Sequence, residues 1–154
     1  MKILFSNTYF LPYVSGVTVY IDRVAKELTL RGHDVRVLCM RHTSDLLKTQ
    51  IQDEVKIIRA RPDVKVSKGF LSFDFVIKAW VQVRECDVLV INLPQVEGFV
   101  PAFFGKLLGK KIVAIYHCEI DYPNKIVQGV VEAANWLTLR LARKIIVYTE
   151  DYAK

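Results

Sequence analysis

The sequence predicts a doubly wound α/β fold, in which helices cover both faces of a parallel sheet and make three α/β/α layers. Three observations lead to this prediction. Short runs rich in β-branched residues alternate with longer helical patterns along the chain. Two of the runs, VLVI and IVAI, are continuously hydrophobic, as strands buried on both faces require. The length of 154 residues suits one domain with a sizeable core.

Six segments are candidate strands, each short, apolar and rich in valine and isoleucine. They are Lys2–Ser6, Asp34–Cys39, Val55–Ala60, Asp87–Leu93, Lys111–Tyr116 and Lys144–Tyr148. The least regular stretches are Arg41–Asp53 and Arg61–Lys68, and no element is assigned to them.

Four helices are expected between these strands, because apolar residues recur there at helical spacing. After the first of them, Gly32 suits the left-handed residue that ends many helices. We expect each apolar set to form the core face of its helix. The sets are Val17, Ile21, Val24 and Leu28; Phe70, Phe73, Ile77 and Trp80; Pro101 to Leu108; and Val130 to Ala142.

Composition excludes several classes of protein. With 52% hydrophobic and 25% charged residues, the chain is not a disordered tail. It has no apolar run of the roughly 18 residues that a membrane span needs, and its start becomes polar too early for a signal peptide. Three cysteines without CxxC spacing predict neither a disulfide framework nor a thiolate metal site, and we expect a cytoplasmic protein. The net charge of +6 predicts an anionic partner.

Three loops are candidate ligand sites. In doubly wound sheets, ligands bind beyond the carboxyl ends of the strands, where the strand order reverses. The loops that leave those ends are Asn7–Gly16, Pro94–Gly98 and His117–Asn124.

The first of these loops places Ser15 and Gly16 directly before a helix. Glycine lets the backbone approach a phosphate, and a helix N-terminus offers unsatisfied N–H groups and a partial positive charge. An ordinary turn glycine is an equal alternative. The GxGxxG and GxxxxGK[ST] patterns are absent from the sequence, which disfavours a nicotinamide or ATP site.

His117 ends the fifth predicted strand and is followed by Glu119 and Asp121. A histidine at this edge, beside two carboxylates, could bind a polar ligand and be held in one tautomer. Alternatively, the same histidine fixes its own loop. Because His33 and His42 belong to other regions, we predict no metal site and no cofactor.

Residues 59–84 combine basic and aromatic side chains beyond what one core face needs. Leu71 and Phe75 fall outside the expected core stripe, which would suit an interfacial helix on an anionic membrane. The alternative is a core helix with solvated lysines at its ends. No nucleic-acid recognition motif is present, so we expect no nucleic-acid partner. The cations are Arg59, Arg61, Lys65, Lys68, Lys78 and Arg84.

Four quoted segments carry a family resemblance. The chain begins MKILFSNTYFLPYVSGVTVYIDRVAKELTLRGHDVRVLC, and its later strands read DVLVINLPQ, KKIVAIYHCE and KIIVYTEDYA. In this order and spacing they resemble the N-terminal part of glycosyltransferase family 4 enzymes. The resemblance implies a GT-B fold of two Rossmann-like domains, with residues 1–154 forming the N-terminal one. It also implies a hexosyltransferase type of activity, with retention of configuration and without a metal, using a nucleotide-sugar donor.

The resemblance further implies roles for individual residues. Ser15 and Gly16 match the loop beside the donor diphosphate, where the family usually has paired glycines. His117 matches the histidine that contacts the donor sugar, and Glu119 and Thr149 lie in matching donor loops. Candidates for the acceptor side are Tyr9, Phe10, Tyr13, Asn92 and Gln95.

Two function hypotheses follow. In the first, the chain is the acceptor-side half of a glycosyltransferase that acts on a sugar, lipid or other acceptor. The E-x7-E motif of the family is absent from this sequence, so the nucleotide-sugar domain is expected elsewhere and residues 1–154 alone are expected to be inactive. In the second, the chain is a freestanding small-ligand or partner-binding module without catalysis. Contact with the inner face of the membrane through residues 59–84 is compatible with the first hypothesis.

Overall fold

The computed structural model describes residues 1–66, 69–118 and 123–147. In these ranges it has nine strands, four α-helices and a short 3-10 helix at Val96–Gly98. The strands are β1 Lys2–Ser6, β2 Asp34–Met40, β3 Thr49–Gln52, β4 Val55–Ala60, β5 Val64–Val66, β6 Gly69–Leu71, β7 Val88–Leu93, β8 Lys111–Tyr116 and β9 Lys144–Val147. The helices are α1 Gly16–Leu30, α2 Phe73–Glu85, α3 Phe99–Leu107 and α4 Lys125–Leu141.

Seven strands form one sheet in the order β3-β4-β2-β1-β7-β8-β9. All neighbours are parallel except β3, which runs antiparallel to β4 at the edge. The chain starts at β1, moves outward to β2 and β4, and then returns across β1 to build β7, β8 and β9. The strand order therefore reverses between β1 and β7, and this is the position at which a doubly wound sheet binds ligands.

The alternation of β1 side chains separates two hydrophobic cores. Ile3 and Phe5 pack on one face of the sheet against α1, through Ile21 and Ala25. Leu4 faces the opposite core, which α2, α3 and part of α4 cover. Strands buried on both faces explain the continuous apolar runs in the sequence. The predicted fold class, a doubly wound three-layer α/β/α sheet, is confirmed.

The six predicted strands are present, and their ends agree to within one residue. Helix α1 begins after Ser15, whose hydroxyl accepts from the amide of Thr18, while the Thr18 hydroxyl accepts from the amide of Ser15. Gly32 follows α1 with a φ of +81°, as the left-handed cap requires. Asn124 caps α4 five residues earlier than the apolar pattern indicates, because its side chain accepts from the amides of Ile126 and Val127.

The two stretches without predicted elements contain further strands. Strand β3 pairs with β4 through a two-residue turn in which Asp53 and Glu54 both have positive φ, 48° and 64°. Strands β5 and β6 form a separate antiparallel hairpin. β3 gave no sequence signal because TQIQ has one apolar residue, and Ile51 remains 73% exposed on the sheet edge.

The predicted core stripe of the second helix is wrong. The helix begins only at Phe73, since the Ser72 side chain caps it, and Phe70 belongs to β6. Phe75, Ala79 and Val83 form the buried face instead, while Phe73 and Ile77 are exposed. Two apolar stripes share this helix, and the one formed by Phe73, Ile77 and Val81 faces outward.

Candidate functional site

A cleft of about 380 Å³ opens at the carboxyl ends of β1 and β7. It lies at the position where the strand order reverses, and described residues of all three predicted loops line it, with Cys118 from the third. Its lining is mainly polar and aromatic. The residues are Asn7, Thr8, Tyr9, Tyr13, Ser15, Val17, Thr18, Asn92, Leu93, Pro94, Gln95, Val96, Glu97, Cys118 and Val131.

The N-terminus of α1 forms one wall of this cleft. A Cβ atom added at Gly16 would meet no atom within 4 Å, so the space beside the first helical residue is open. The amide of Ser15 is occupied by the Thr18 hydroxyl at 2.8 Å. The amides of Gly16 and Val17 belong to the first turn, whose N–H groups have no acceptor within the helix. Together with the helix dipole, they favour an anionic ligand group at this wall.

Buried amide side chains connect the strands beneath the cleft. The Asn92 amide nitrogen donates to the Ser6 carbonyl at 3.3 Å, and the Ser6 hydroxyl donates to Gln95 Oε1 at 3.2 Å. The backbone amide of Gln95 donates to Asn135 Oδ1 of α4 at 3.3 Å. Asn92 and Gln95 are only 1% and 2% exposed. These bonds fix β1, β7 and α4 relative to one another at the cleft.

His117 lies beside the cleft at the end of β8, and its Nε2 is 3.0 Å from Asn92 Oδ1. Since the Asn92 nitrogen already faces Ser6, its oxygen faces the imidazole, and Nε2 is the donor of this bond. Tyr20 packs edge-on against the ring with 5.3 Å between centroids. Burial lowers the pKa of His117 below its usual value, which favours the neutral ring near pH 7. Its basic nitrogen is then Nδ1.

A buried carboxylate and an aromatic rim complete the opposite wall. Glu97, 6% exposed, accepts a hydrogen bond from the Thr8 hydroxyl at 3.2 Å. Tyr9 and Tyr13 stack with their ring centroids 4.5 Å apart, and His42 meets both rings edge-on. Burial, followed by the charge of Arg59, lowers the pKa of His42. This wall offers flat apolar surface and hydrogen-bond acceptors to a polyhydroxylated ligand.

The structure brings most of the predicted site residues together. Tyr9, Tyr13, Ser15, Asn92 and Gln95 line the cleft, while Gly16 and His117 lie at its margin. Phe10 does not reach it, because this side chain is 2% exposed and packs in the α1-side core. Glu119 and Thr149 lie outside the described residues. Among the residues that the structure describes, no cluster of three metal-ligating side chains occurs.

Sequence reasoning missed Thr8, Glu97 and Asn135. Glu97 lies in Pro94–Gly98, one of the three loops predicted to bind a ligand. Its position just after a strand, as a carboxylate beside apolar residues, is a signal that could have identified it as a site residue. Asn135 gives no such signal, because a polar residue within an amphipathic helix usually faces solvent.

A cleft at the strand-order reversal, with a helix N-terminus on one wall, defines a ligand-binding domain of the doubly wound class. The family model of glycosyltransferase family 4 matches residues 14–154. The chain therefore belongs to glycosyltransferase family 4, which confirms the resemblance seen in the sequence.

No curated protein matches the chain significantly in sequence. Among solved structures, sucrose-phosphate synthase from Thermosynechococcus elongatus is similar, with a TM-score of 0.63 and 11% identity. The alignment covers 99% of this chain and 43% of that chain. At this identity the likeness concerns the fold alone, and the chain spans less than half the length of that protein.

Proposed function

We propose that the chain is the acceptor-side domain of a retaining hexosyltransferase that moves a sugar from a nucleotide-sugar donor to an acceptor. Family membership supports glycosyl transfer in general. The observation that carries the proposal is the arrangement of one cleft, which is lined by the N-terminus of α1 and by a wall of hydrogen-bonding and aromatic side chains, with His117 bonded to the lining residue Asn92 at its margin. This combination suits an anionic leaving group, a reacting sugar and a hydroxylated acceptor.

The donor diphosphate binds at the N-terminus of α1 in this proposal. Negative charge grows on the diphosphate as the glycosidic bond breaks, and fixed N–H dipoles stabilise that charge better than reorienting water. The amides of Gly16 and Val17 supply them, while the Ser15 amide is already bonded to Thr18. Because the space beside Gly16 is open, the diphosphate can approach the backbone closely. No metal is required for this role.

His117 orients the donor sugar. Its bond to Asn92 fixes the orientation of the ring and its tautomer at the margin of the cleft. Burial, which lowers the pKa of His117, favours the neutral imidazole. Positioning by a fixed group reduces the entropy that the reacting atoms lose on the way to the transition state.

The acceptor, a sugar, lipid or other hydroxylated molecule, lies against the opposite wall. The stacked rings of Tyr9 and Tyr13 offer an apolar face to it. Thr8 and Glu97 offer hydrogen-bond partners to its hydroxyl groups. Asn92 and Gln95 act mainly from beneath, because both are almost fully buried.

A second domain binds the nucleotide and completes the cleft in this proposal. The partial coverage of the structural neighbour, 43%, supports a longer catalytic unit. Strand β9 also leaves Ile145 and Ile146 53% and 45% exposed, one on each face of the sheet, which is unusual for a parallel strand.

We further propose a cytoplasmic location, in keeping with cysteines that are free in the structure. Among the described helices, none is long and apolar enough to cross a membrane.

A donor screen tests the proposed activity. The full-length protein is incubated with a panel of nucleotide sugars and candidate acceptors, with and without a chelator, and the anomeric configuration of the product is determined by NMR. We expect transfer with retention, unaffected by chelation. His117→Ala should lower kcat by about 10²–10³-fold, the usual effect of losing one group that stabilises the transition state.

Three variants sharpen this test. His33→Ala is the matched control, because His33 follows α1 at the opposite end of the sheet, and it should keep full activity. Gly16→Val should raise the KM for the donor, since its side chain occupies the open space. Residues 1–154 alone should transfer no sugar above background. Full activity of His117→Ala would remove His117 from the mechanism, and failure with every donor would overturn the proposed reaction.

A further inference from the structure

A second pocket, of about 340 Å³, also lies at the carboxyl ends of the strands, between the end of β4 and helix α2. Five cationic side chains and two carboxylates line it, an excess of three positive charges. Glycosyl transfer as proposed above makes no use of this pocket. The residues are Arg41, Lys48, Arg59, Arg61, Asp63, Phe73, Asp74, Ile77 and Lys78.

The two carboxylates are already engaged in holding the start of α2. Asp74 accepts from Lys78 Nζ at 2.5 Å and from the Arg61 amide at 2.7 Å. Asp63 accepts from the amide of Phe73 at 2.7 Å and lies 3.4 Å from the Arg61 guanidinium. These interactions neutralise Lys78 and part of Arg61, so the excess positive charge remains on the other side of the pocket.

Two cations on that other side have no acidic partner among the described residues. Arg41 follows β2 and is half-buried, and Lys48 precedes β3 and is exposed. Within the described part of the chain, neither side chain forms an ion pair. Their charges are available to an incoming anion.

Arg59 places a third uncompensated charge beneath them. Its side chain is 1% exposed and donates only to neutral oxygens, those of Leu11, Leu47 and Gln50. Its Nε is buried without a described acceptor. A buried guanidinium is usually paired with a carboxylate, because removing its charge from water is costly. Here the compensating anion is not among the described side chains, which points to a ligand.

An exposed apolar stripe adjoins the pocket. Phe73, Ile77 and Val81 recur every four residues along α2 and are 73%, 50% and 43% exposed. Leu71 and Val64 of the neighbouring hairpin extend it, with 57% and 54% exposure. The stripe begins at residues that also line the pocket, Phe73 and Ile77, so the cations and the apolar surface are continuous. Exposed apolar patches of this kind mark contact surfaces.

We propose that this pocket binds the phosphate headgroup of an anionic phospholipid, while the α2 stripe enters the membrane surface beside it. A freely dissolved phosphate would use the cations alone and would leave the stripe without a role. A phospholipid offers both a phosphate and an apolar body, and Phe73 and Ile77 belong both to the pocket lining and to the stripe. The inference gives the sequence-based expectation for residues 59–84 a defined ligand and a defined helix face, and it does not depend on the sugar-transfer reaction.

Vesicle sedimentation of the full-length protein tests the proposal. Vesicles of phosphatidylcholine alone are compared with an equal mixture of phosphatidylcholine and phosphatidic acid, at low and high salt. We expect binding to the mixed vesicles only, weakened by salt. The variant Arg41→Gln/Lys48→Gln should reduce partitioning roughly tenfold or more, and Phe73→Ser/Ile77→Ser should do the same without changing the net charge.

Matched controls separate the pocket from general charge and hydrophobicity. Lys2→Gln/Lys106→Gln removes equal charge, and Leu30→Ser/Leu107→Ser removes exposed apolar surface elsewhere; both should bind as the wild type does. Equal loss in these controls, or equal binding to neutral vesicles, would overturn the proposal. So would saturable binding of inorganic phosphate, lost in Arg41→Gln/Lys48→Gln, without any vesicle binding. The experiment measures how much protein binds to the vesicles and not enzymatic activity. A negative result would therefore overturn the lipid-binding proposal without bearing on the proposed sugar transfer.

Discussion

At the scale of single residues, a hydrogen bond joins His117 at the margin of the cleft to Asn92 in its lining. Asn92 is buried, and its amide is fixed by the Ser6 carbonyl on one side and the imidazole on the other. Asn92 is thus a neutral hydrogen-bond partner of the histidine. This arrangement fixes the ring without adding a charge that would favour its protonation.

We expect this burial to make the protein less stable in acid. The pKa of His117 is lowered from its usual value of 6.5, so the unfolded chain binds a proton at a pH where the folded chain does not. The free energy of unfolding should therefore fall as pH drops below about 6.5, until the lowered folded-state pKa is reached. His117→Gln should flatten part of that decline in urea unfolding measured across this window. His42, with the same direction of shift, contributes the remainder.

Asn92→Asp provides the opposite change, because it places a carboxylate next to Nε2 and should raise the pKa of His117 in an NMR titration. A His117 midpoint that does not rise in this variant would contradict the assigned hydrogen bond.

The sequence could predict that His117 follows a strand and which loops border the cleft, because a strand's carboxyl end and a glycine before a helix are local features. It could not predict the contact of Thr8 with Glu97, which are 89 positions apart. It also misplaced Phe10, since an aromatic residue in a loop can equally face a ligand or the core. Tertiary packing decides between those two, and nothing local reveals it.

At the scale of elements, the helices are held by packing as much as by propensity. Gly105 of α3 shows this, because an added Cβ would lie 3.1 Å from Ile112 Cδ1 and 3.1 Å from Leu89 Cδ2. Gly129 of α4 is exposed, and a Cβ there would meet nothing within 4 Å. The two glycines occupy helices for different physical reasons.

Alanine at each position should therefore change stability in opposite directions. Gly129→Ala should raise the free energy of unfolding by about 0.5–1 kcal/mol, since alanine loses less backbone entropy in a helix. Gly105→Ala has the same propensity gain but must displace two buried side chains, and a net loss of about 1–2 kcal/mol is expected. Urea denaturation measures both. A stabilised Gly105→Ala would mean that α3 can move away from β7 and β8 at little cost.

Helix α2 shows where sequence patterns are ambiguous. It has apolar residues on two faces, and periodicity alone cannot say which of them enters the core. The buried face uses Phe75, Ala79 and Val83, two of them small, whereas the exposed face carries Phe73, Ile77 and Val81. Small side chains permit close packing of α2 on the sheet, whereas the exposed Phe73 adjoins the basic pocket. The strand pattern had no such ambiguity for the six predicted strands, which are all present, but it did not reveal β3 at the edge of the sheet.

At the scale of the whole molecule, the topology places both pockets at the carboxyl ends of the parallel strands. The cleft lies beyond β1 and β7, and the basic pocket lies beyond β2 and β4. If both proposals hold, a membrane-bound acceptor could be presented to the cleft by the same surface that holds the lipid. The order of strands, which alternating strand and helix patterns predict only in outline, determines this proximity.

Arg59 connects the two pockets, and its loss should affect both. Its Nη2 donates to the Leu11 carbonyl at 2.8 Å, in the loop that also carries Tyr9 and Tyr13, and its own carbonyl accepts from Lys78 Nζ at 3.0 Å. Arg59→Met should lower the free energy of unfolding by about 1–3 kcal/mol, because it leaves buried acceptors without donors. Its control is Arg31→Met, which removes an exposed pair with Glu27 and should cost under about 0.5 kcal/mol. Urea unfolding measures the loss of stability in both variants. The connection is established if the NMR shifts of the loop from Thr8 to Val14 change in Arg59→Met but not in Arg31→Met. An undisturbed loop would show that Arg59 serves the basic pocket alone.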